Sequence, residues 1–478
     1  MTFYGSVGVI GGNYGIVNIP LSNRAQNGSQ SNEVNKCSDL GTARIDSVLK
    51  EDNTGNENGC DTFKTEDEQS LFTKEVTDYV LQRLNGQRIK SVKQLSVGRS
   101  GSQVFLISCI SHDSHVTGWR IVKLSKVNDT QARYADVENK ACQDILIQSP
   151  KDFRQHLVDS KVFYHNNLQI ILSELATRSY LHSKMLCELT TAQKAKYVKC
   201  ISDDVLLKWN KNFQSNGEIS SFFSTLLGTR IEANGEFTRR IKQLLEKPQA
   251  KIITGFLSSS RVCPNPHYYI LNISELIRKI EPHLTTSFIT GKTHGDFNAQ
   301  NMICDSSSED FNYVIIDYSH YNPQSFVLYD HAFLEADNYY HILKDKTEKV
   351  WKEQLTLLKV RINKIVKPAE GDNDNYYTEL VSFRNAICTS ISDWGNNQHE
   401  HNFDDIEIQF ACARIAAGVK KFCSPSVKTY KERKLMLYYI ARCMKNLFNL
   451  VLHDNTWLNV RSDEITSLLD DTLQNGTD

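Results

Sequence analysis

Three short runs rich in β-branched and aromatic residues lie close together: SVKQLSV (Ser91–Val97), QVFLISCI (Gln103–Ile110) and WRIVKL (Trp119–Leu124). Turn signals separate them, so they read as neighbouring strands. A helical pattern near 130–147 follows, and then DSKVFYH and LQIILSEL, which read as a hairpin. After Ala176 helical periodicity takes over and holds to the C-terminus, broken by a loop region around His294–Ser319. Strands first and helices after point to an α+β chain, a small sheet unit followed by a larger helical one. A leading helix over about 66–84 is also predicted. Phe72, Val76, Tyr79, Val80 and Leu84 keep helical spacing, and Asn85-Gly86 ends the run.

A chain of 478 residues exceeds one small core and suggests two or three compact units. Lys plus Arg (55) nearly balance Asp plus Glu (56), so no overall field favours nucleic acid or an anionic membrane. The twelve cysteines include no C-x-x-C pair, which argues against a zinc ribbon or a redox pair and fits a reducing cytosol. With neither a signal-peptide pattern nor a long apolar stretch, the sequence reads as cytoplasmic. Residues 1–62 are rich in Gly, Asn and Ser and read as a low-complexity, disordered segment, a tail or a docking site for a protein partner. Their glycines (Gly5, Gly8, Gly11, Gly12, Gly15) do not form G-x-G-x-x-G.

The chemistry concentrates in KTHGDFNAQNMI (Lys292–Ile303) and in IIDYS (Ile315–Ser319). Asp296 can accept a hydroxyl proton. Asn301 offers an amide oxygen suited to Mg²⁺. The five-residue step lets one tight loop aim both side chains into one cleft, and Gly295 permits the bend. His294 reads as a brace for the loop. Asp317 ends an apolar run, so a strand would deliver it to the cleft edge as a second metal ligand. Phosphoryl transfer needs such parts, because its catalysis is mostly positioning and charge stabilisation.

The pattern HGDFNAQN…IIDYS resembles the catalytic loop and metal-binding Asp of the aminoglycoside phosphotransferase-like kinases, a branch of the protein-kinase-like fold. The resemblance covers about residues 91–340. It implies a bilobal fold, with a small antiparallel-sheet N-lobe (63–176) and a large, mostly helical C-lobe (177–478). It implies Asp296 as catalytic base, with Asn301 and Asp317 as Mg²⁺ ligands. Downstream, SFVLYDHAFLEAD resembles a later family segment in which Asp330 takes a structural, loop-bracing place. Upstream, LSVGRSGSQVFLI supplies a turn whose Gly98, Ser100, Gly101 and Ser102 present backbone N–H groups to ATP phosphates. It departs from the protein-kinase G-x-G-x-x-G and is closest to bacterial phosphotransferase-like kinases of conflict or signalling systems. Lys123, among apolar neighbours on a strand, matches the lysine that holds the α- and β-phosphates. Glu138 interrupts an apolar helical stripe and is its expected ion-pair partner. The hinge falls at Glu174, Leu175 and Ala176.

Additional helical stretches between Ala176 and His294, such as AQKAKYVKCISDDVLLKWNKNF and EFTRRIKQLLEK, would shape an acceptor pocket. Acidic residues gather at Asp372, Asp374, Asp393, Glu400, Asp404, Asp405 and Glu407 and read as a solvated loop. His399, Glu400 and His401 lack a third spaced ligand for a metal. Taken together, these features predict an ATP- and Mg²⁺-dependent phosphotransferase acting on the hydroxyl of a small molecule or protein. The alternative is a kinase-fold nucleotide-sensing regulatory module. A purely helical scaffold would leave Lys123 and the HGD segment unexplained.

Overall fold

The computed structural model describes residues 72–84, 87–97, 103–110, 117–126, 163–165, 168–174, 183–232, 234–245, 266–305, 311–367, 376–396 and 402–451. The α+β architecture expected from the sequence is the one observed. Among the described residues, its smaller part is one helix, α1 (Lys74–Arg83), on a five-stranded sheet. The strands are β1 (Arg88–Val97), β2 (Gln103–Ile110), β3 (Thr117–Lys126), β4 (Phe163–His165) and β5 (Leu168–Glu174). Their order is β1-β2-β3-β5-β4, and each pair is antiparallel.

Strand alternation sends successive side chains to opposite faces. On one face Phe105, Ile107, Val122, Leu124, Ile170 and Leu172 pack under α1, against Val76, Tyr79 and Val80. On the other face Val104, Leu106 and Ile121 meet Ile303 and Ile316 of the larger part. Lys123 shares the parity of Ile121, so it points towards the larger part.

The larger part holds β6 (Ser183–Met185), α2 (Thr191–Asp204), β7 (Gln214–Gly217), α3 (Ile219–Leu227), α4 (Glu236–Leu245), α5 (Pro266–Leu271) and α6 (Ile273–Ile280). Next come β8 (Phe288–Thr293), β9 (Met302–Asp305), β10 (Tyr313–Ile315) and β11 (Asn322–Phe326). The last described elements are α7 (Leu328–Leu343), α8 (Glu348–Gln354), α9 (Tyr376–Asn396), α10 (Phe403–Phe422) and α11 (Tyr430–Val451). Two small sheets, β10-β9-β6 and β11-β8-β7, place the segment between β8 and β9 against the helices.

Helices α7 and α10 form the centre and are buried on almost every side. Charges inside such helices require partners. Arg414 of α10 makes a two-pronged pair with Glu335 of α7 at 2.6 and 2.8 Å, and Lys421 meets Asp337 at 2.5 Å. The ends of α10 are tied. Asn402 accepts the Asp404 N–H at 3.1 Å, and Arg240 donates to the carbonyls of Phe422, Ser424 and Val427. Among the described residues no helix is long and apolar enough to cross a membrane.

The acidic stretch departs from expectation. Asp404 and Asp405 open α10, where the helix dipole favours acids. Asp405 accepts the Thr285 N–H at 3.0 Å, Asp404 and Glu407 pair with Arg361, and Asp393 lies 3.4 Å from Lys199. Asp405 and Glu407 are buried anchors, while Asp393 and Asp404 remain mostly exposed, as expected of solvated charge. Asp372, Asp374, His399, Glu400 and His401 lie outside the described residues, as does the segment 1–62.

Candidate active site

β8 delivers the chain to His294, and the eight residues to Asn301 fold on their own side chains. The Asp296 carbonyl accepts the Asn298 N–H at 2.9 Å and the side-chain amides of Asn298 and Asn301 at 3.1 and 2.9 Å. The Asn298 carbonyl accepts the Asn301 N–H at 3.0 Å, and its side-chain oxygen accepts the Gln300 N–H at 3.0 Å. Both amides also approach Asp296 Oδ2, at 3.2 Å each. Asparagine twice over is what makes this turn, because its short amide bonds to backbone two or more residues away. Asn301 spends its nitrogen on Asp296. Its Oδ1, and Asp296 Oδ1, are buried with no hydrogen-bond partner.

The loop is pinned from three directions. Asp330, in the first turn of α7, accepts the backbone N–H of His294 at 2.6 Å and of Gly295 at 2.9 Å. His294 Nε2 donates to the Ile316 carbonyl at 2.8 Å, while its Nδ1 accepts the Asp296 N–H at 3.3 Å. That pattern fixes a neutral ring, and burial holds its pKa down to about 4. His294 is a brace, as its sequence position suggested. Gly295 sits at φ +77°, and a Cβ there would collide with the His320 carbonyl.

Asp317 arrives differently from the expectation. β10 pairs with β9 through Tyr313–Cys304, Val314–Ile303 and Ile315–Met302, and stops at Ile315. The Ile316 N–H then donates to the Asn301 carbonyl at 2.9 Å, and Asp317 turns out of line at φ +63°. A non-glycine residue there costs about 1–3 kcal/mol, and such outliers gather at functional sites. The Asp317 carboxylate accepts from Ser319 Oγ at 3.0 Å and lies 3.7 Å from Lys123 Nζ. Lys123 is buried on β3. One cluster therefore holds a carboxylate, an amide oxygen, a second carboxylate and an ammonium, drawn from the 294–301 loop, the turn after β10 and strand β3. Among the described residues no three His, Cys, Asp or Glu side chains gather as a metal cluster. Oxygen donors from Asn301 and Asp317 are the kind hard cations take.

Other expected residues stand apart from this cluster or outside the description. Glu174 is the last residue of β5 and pairs in register with Arg120. Gly98, Ser100, Gly101, Ser102, Glu138, Leu175 and Ala176 lie outside the described residues.

The sequence reading missed Lys420. It donates from α10 to the Gly295 carbonyl, with its ammonium 4.9 Å from the Phe333 ring and 5.6 Å from the Tyr329 ring. Burial pushes the Asp296 carboxyl up from its ordinary range, the Lys420 ammonium pulls it back, and Asp317 adds to the rise. The available signal was the doubled lysine in IAAGVKKF, two charges inside an otherwise apolar helical run.

No protein-family model matches the chain, and no curated protein sequence matches it. Solved structures do resemble it. An aminoglycoside phosphotransferase in a ternary complex with ADP and hygromycin B is 10% identical, with 78% of this chain and 98% of that one covered and a TM-score of 0.43. An aminoglycoside phosphotransferase from Alicyclobacillus acidocaldarius is 10% identical, with coverages of 77% and 90% and a TM-score of 0.32. A choline kinase from Cryptosporidium parvum is 13% identical, with coverages of 79% and 93% and a TM-score of 0.36. At identities this low, none of them assigns an activity or a residue role to this chain.

Proposed function

We propose that the chain is an ATP-dependent phosphotransferase with an alcohol group as acceptor, on a small molecule or a protein. The reading rests on one observation above all. Asn301 bonds Asp296 directly, the Asn301 carbonyl takes the N–H of Ile316, the neighbour of Asp317, and Lys123 lies 3.7 Å from Asp317. A polar surface loop would not be built this way, because burying these groups is costly without a ligand to use them.

In this reading the small N-lobe spans 63–176 and the C-lobe 177–478, with the nucleotide between them. Lys123 binds the α- and β-phosphates, supported by the turn at Gly98, Ser100, Gly101 and Ser102, and Glu138 steadies the lysine. Glu174, Leu175 and Ala176 offer backbone groups to the adenine. Asn301 Oδ1, buried and without a partner, and the Asp317 carboxylate are the oxygens that would hold Mg²⁺. Bound there, the cation would offset phosphate charge. Asp296 orients the acceptor hydroxyl and takes its proton through Oδ1. Burial makes it a stronger base than an exposed aspartate, which suits that task. Asp330, His294 and Gly295 hold the base in place. Buried free thiols, among them Cys109, Cys304 and Cys412, fit action in the reducing cytoplasm.

Thermal unfolding with and without ATP and Mg²⁺, followed by labelled-phosphate transfer onto a metabolite and protein mixture, tests the reading. A ligand bound only by the folded chain raises the midpoint. No midpoint shift together with no transfer would overturn the proposal.

A further inference from the structure

Lys420 is left over when the parts of the transfer site are assigned. It sits in the last turn of α10, beside Lys421. A lysine at that position ordinarily complements the helix dipole from solvent. Lys421 already does something else, neutralising Asp337 in the core. Lys420 is itself only 8% exposed. Its ammonium is spent on the Gly295 carbonyl and lies near the faces of two aromatic rings, an arrangement that compensates a buried cation. Asp296 is its largest favourable electrostatic neighbour.

Gly295 thus has both backbone groups tied to side chains of different helices. Its N–H goes to Asp330 of α7, and its C=O takes the ammonium of α10. Between Asp296 and Asn301 the loop carries Phe297, Asn298, Ala299 and Gln300, none of them charged. The cation beside the proposed base comes from 125 residues beyond Gly295.

We propose that Lys420 is a positioning residue of the site, holding the Gly295 turn that presents Asp296 and supplying the positive charge that the loop itself lacks. This rests on the phosphotransfer reading for its consequence in turnover, but not for its consequence in loop order. Holding the turn keeps Asp296 Oδ1 aimed at an acceptor. Supplying the charge keeps that carboxylate beside the negative charges of Asp317 and a bound nucleotide.

The test uses the full chain, with MgATP as the probe and water as acceptor. Two quantities are read: hydrogen exchange across residues 292–302, and kcat and KM for phosphate release. In Lys420→Met the apolar stem stays while the charge and the donors go. Exchange should rise several-fold, kcat should fall on the order of tenfold or more, and the KM for MgATP should stay within about twofold. Lys420→Arg should restore both quantities. Should the methionine variant fail to fold, Lys420→Gln reads the same two. Unchanged exchange and kcat in Lys420→Met would reduce Lys420 to a dipole complement, and a folded Lys420→Arg that restores neither would remove charge from its role. A wild-type protein that neither turns over MgATP nor is stabilised by it nor transfers phosphate to any acceptor would sink the phosphotransfer reading alone, and the exchange measurement would still decide whether Lys420 holds the loop.

Discussion

Asp330 stands 36 residues downstream of His294, yet its carboxylate accepts the His294 backbone N–H at 2.6 Å and the Gly295 N–H at 2.9 Å. The first turn of a core helix thereby sets the height and tilt of the loop carrying Asp296. Replacing Asp330 with Ala would leave one buried and one partly buried N–H without acceptors, at about 1–3 kcal/mol each. Asp330→Ala is therefore expected to lose about 3 kcal/mol or more in urea unfolding, and Asp330→Asn less, because one amide oxygen remains to accept. An Asp330→Ala midpoint equal to wild type would show that the bonds do not anchor the loop.

Asp296→Asn should separate chemistry from binding. It removes the group that takes the hydroxyl proton, for an expected loss of about 10²–10⁴-fold in transfer, while MgATP should still raise the unfolding temperature. Asp317→Asn should abolish that rise along with transfer. Equal nucleotide stabilisation in both variants would contradict the division of roles between the two carboxylates.

The Glu335–Arg414 pair joins the two central helices with both side chains almost wholly out of solvent. Removing one partner strands a buried charge, for an expected loss of about 3–5 kcal/mol. Glu335→Leu combined with Arg414→Met should recover most of it. A double-mutant cycle in denaturant measures the coupling, and additive single losses would deny it.

His294 gives a pH signature. Its folded pKa, about 4, lies below the ordinary histidine value of 6.5 because burial disfavours the charged ring. Between those values the unfolded chain binds more protons than the folded one, so stability rises with pH. Its contribution is complete above pH 6.5 and is lost as pH falls towards 4, on the order of 3 kcal/mol in all. His294→Gln should flatten part of the acid loss in that window. An unchanged slope of unfolding free energy against pH would mean the ring titrates elsewhere.

Much of this was legible in the chain because it is local. Asp296 and Asn301 bond within six residues, so their five-residue step already marked a tight loop, while the part Asn298 plays in it was not read. The strand pattern put Lys123 among apolar neighbours, and the helical spacing of Val76, Tyr79 and Val80 marked the leading helix, whereas Phe72 precedes its first turn. What escaped reading depends on distant packing. Lys420 becomes meaningful only when α10 crosses the loop, and in sequence it is one of two adjacent lysines. Asp405 looked like solvated charge because a helix N-terminus at Asn402 is visible only once the helix is placed. The left-handed turn at Asp317 had no glycine to announce it.

The contact between Gly295 and His320 is asymmetric in what it asks of each side. The collision that excludes a side chain at 295 involves the carbonyl oxygen of residue 320, together with its Cβ, atoms that nearly every amino acid brings. As far as this contact is concerned, position 320 can drift in identity and present the same surface. Position 295 can accept no drift at all. Two residues that touch at one point thus live under opposite mutational regimes, and the stringent one falls on the residue with no side chain to read.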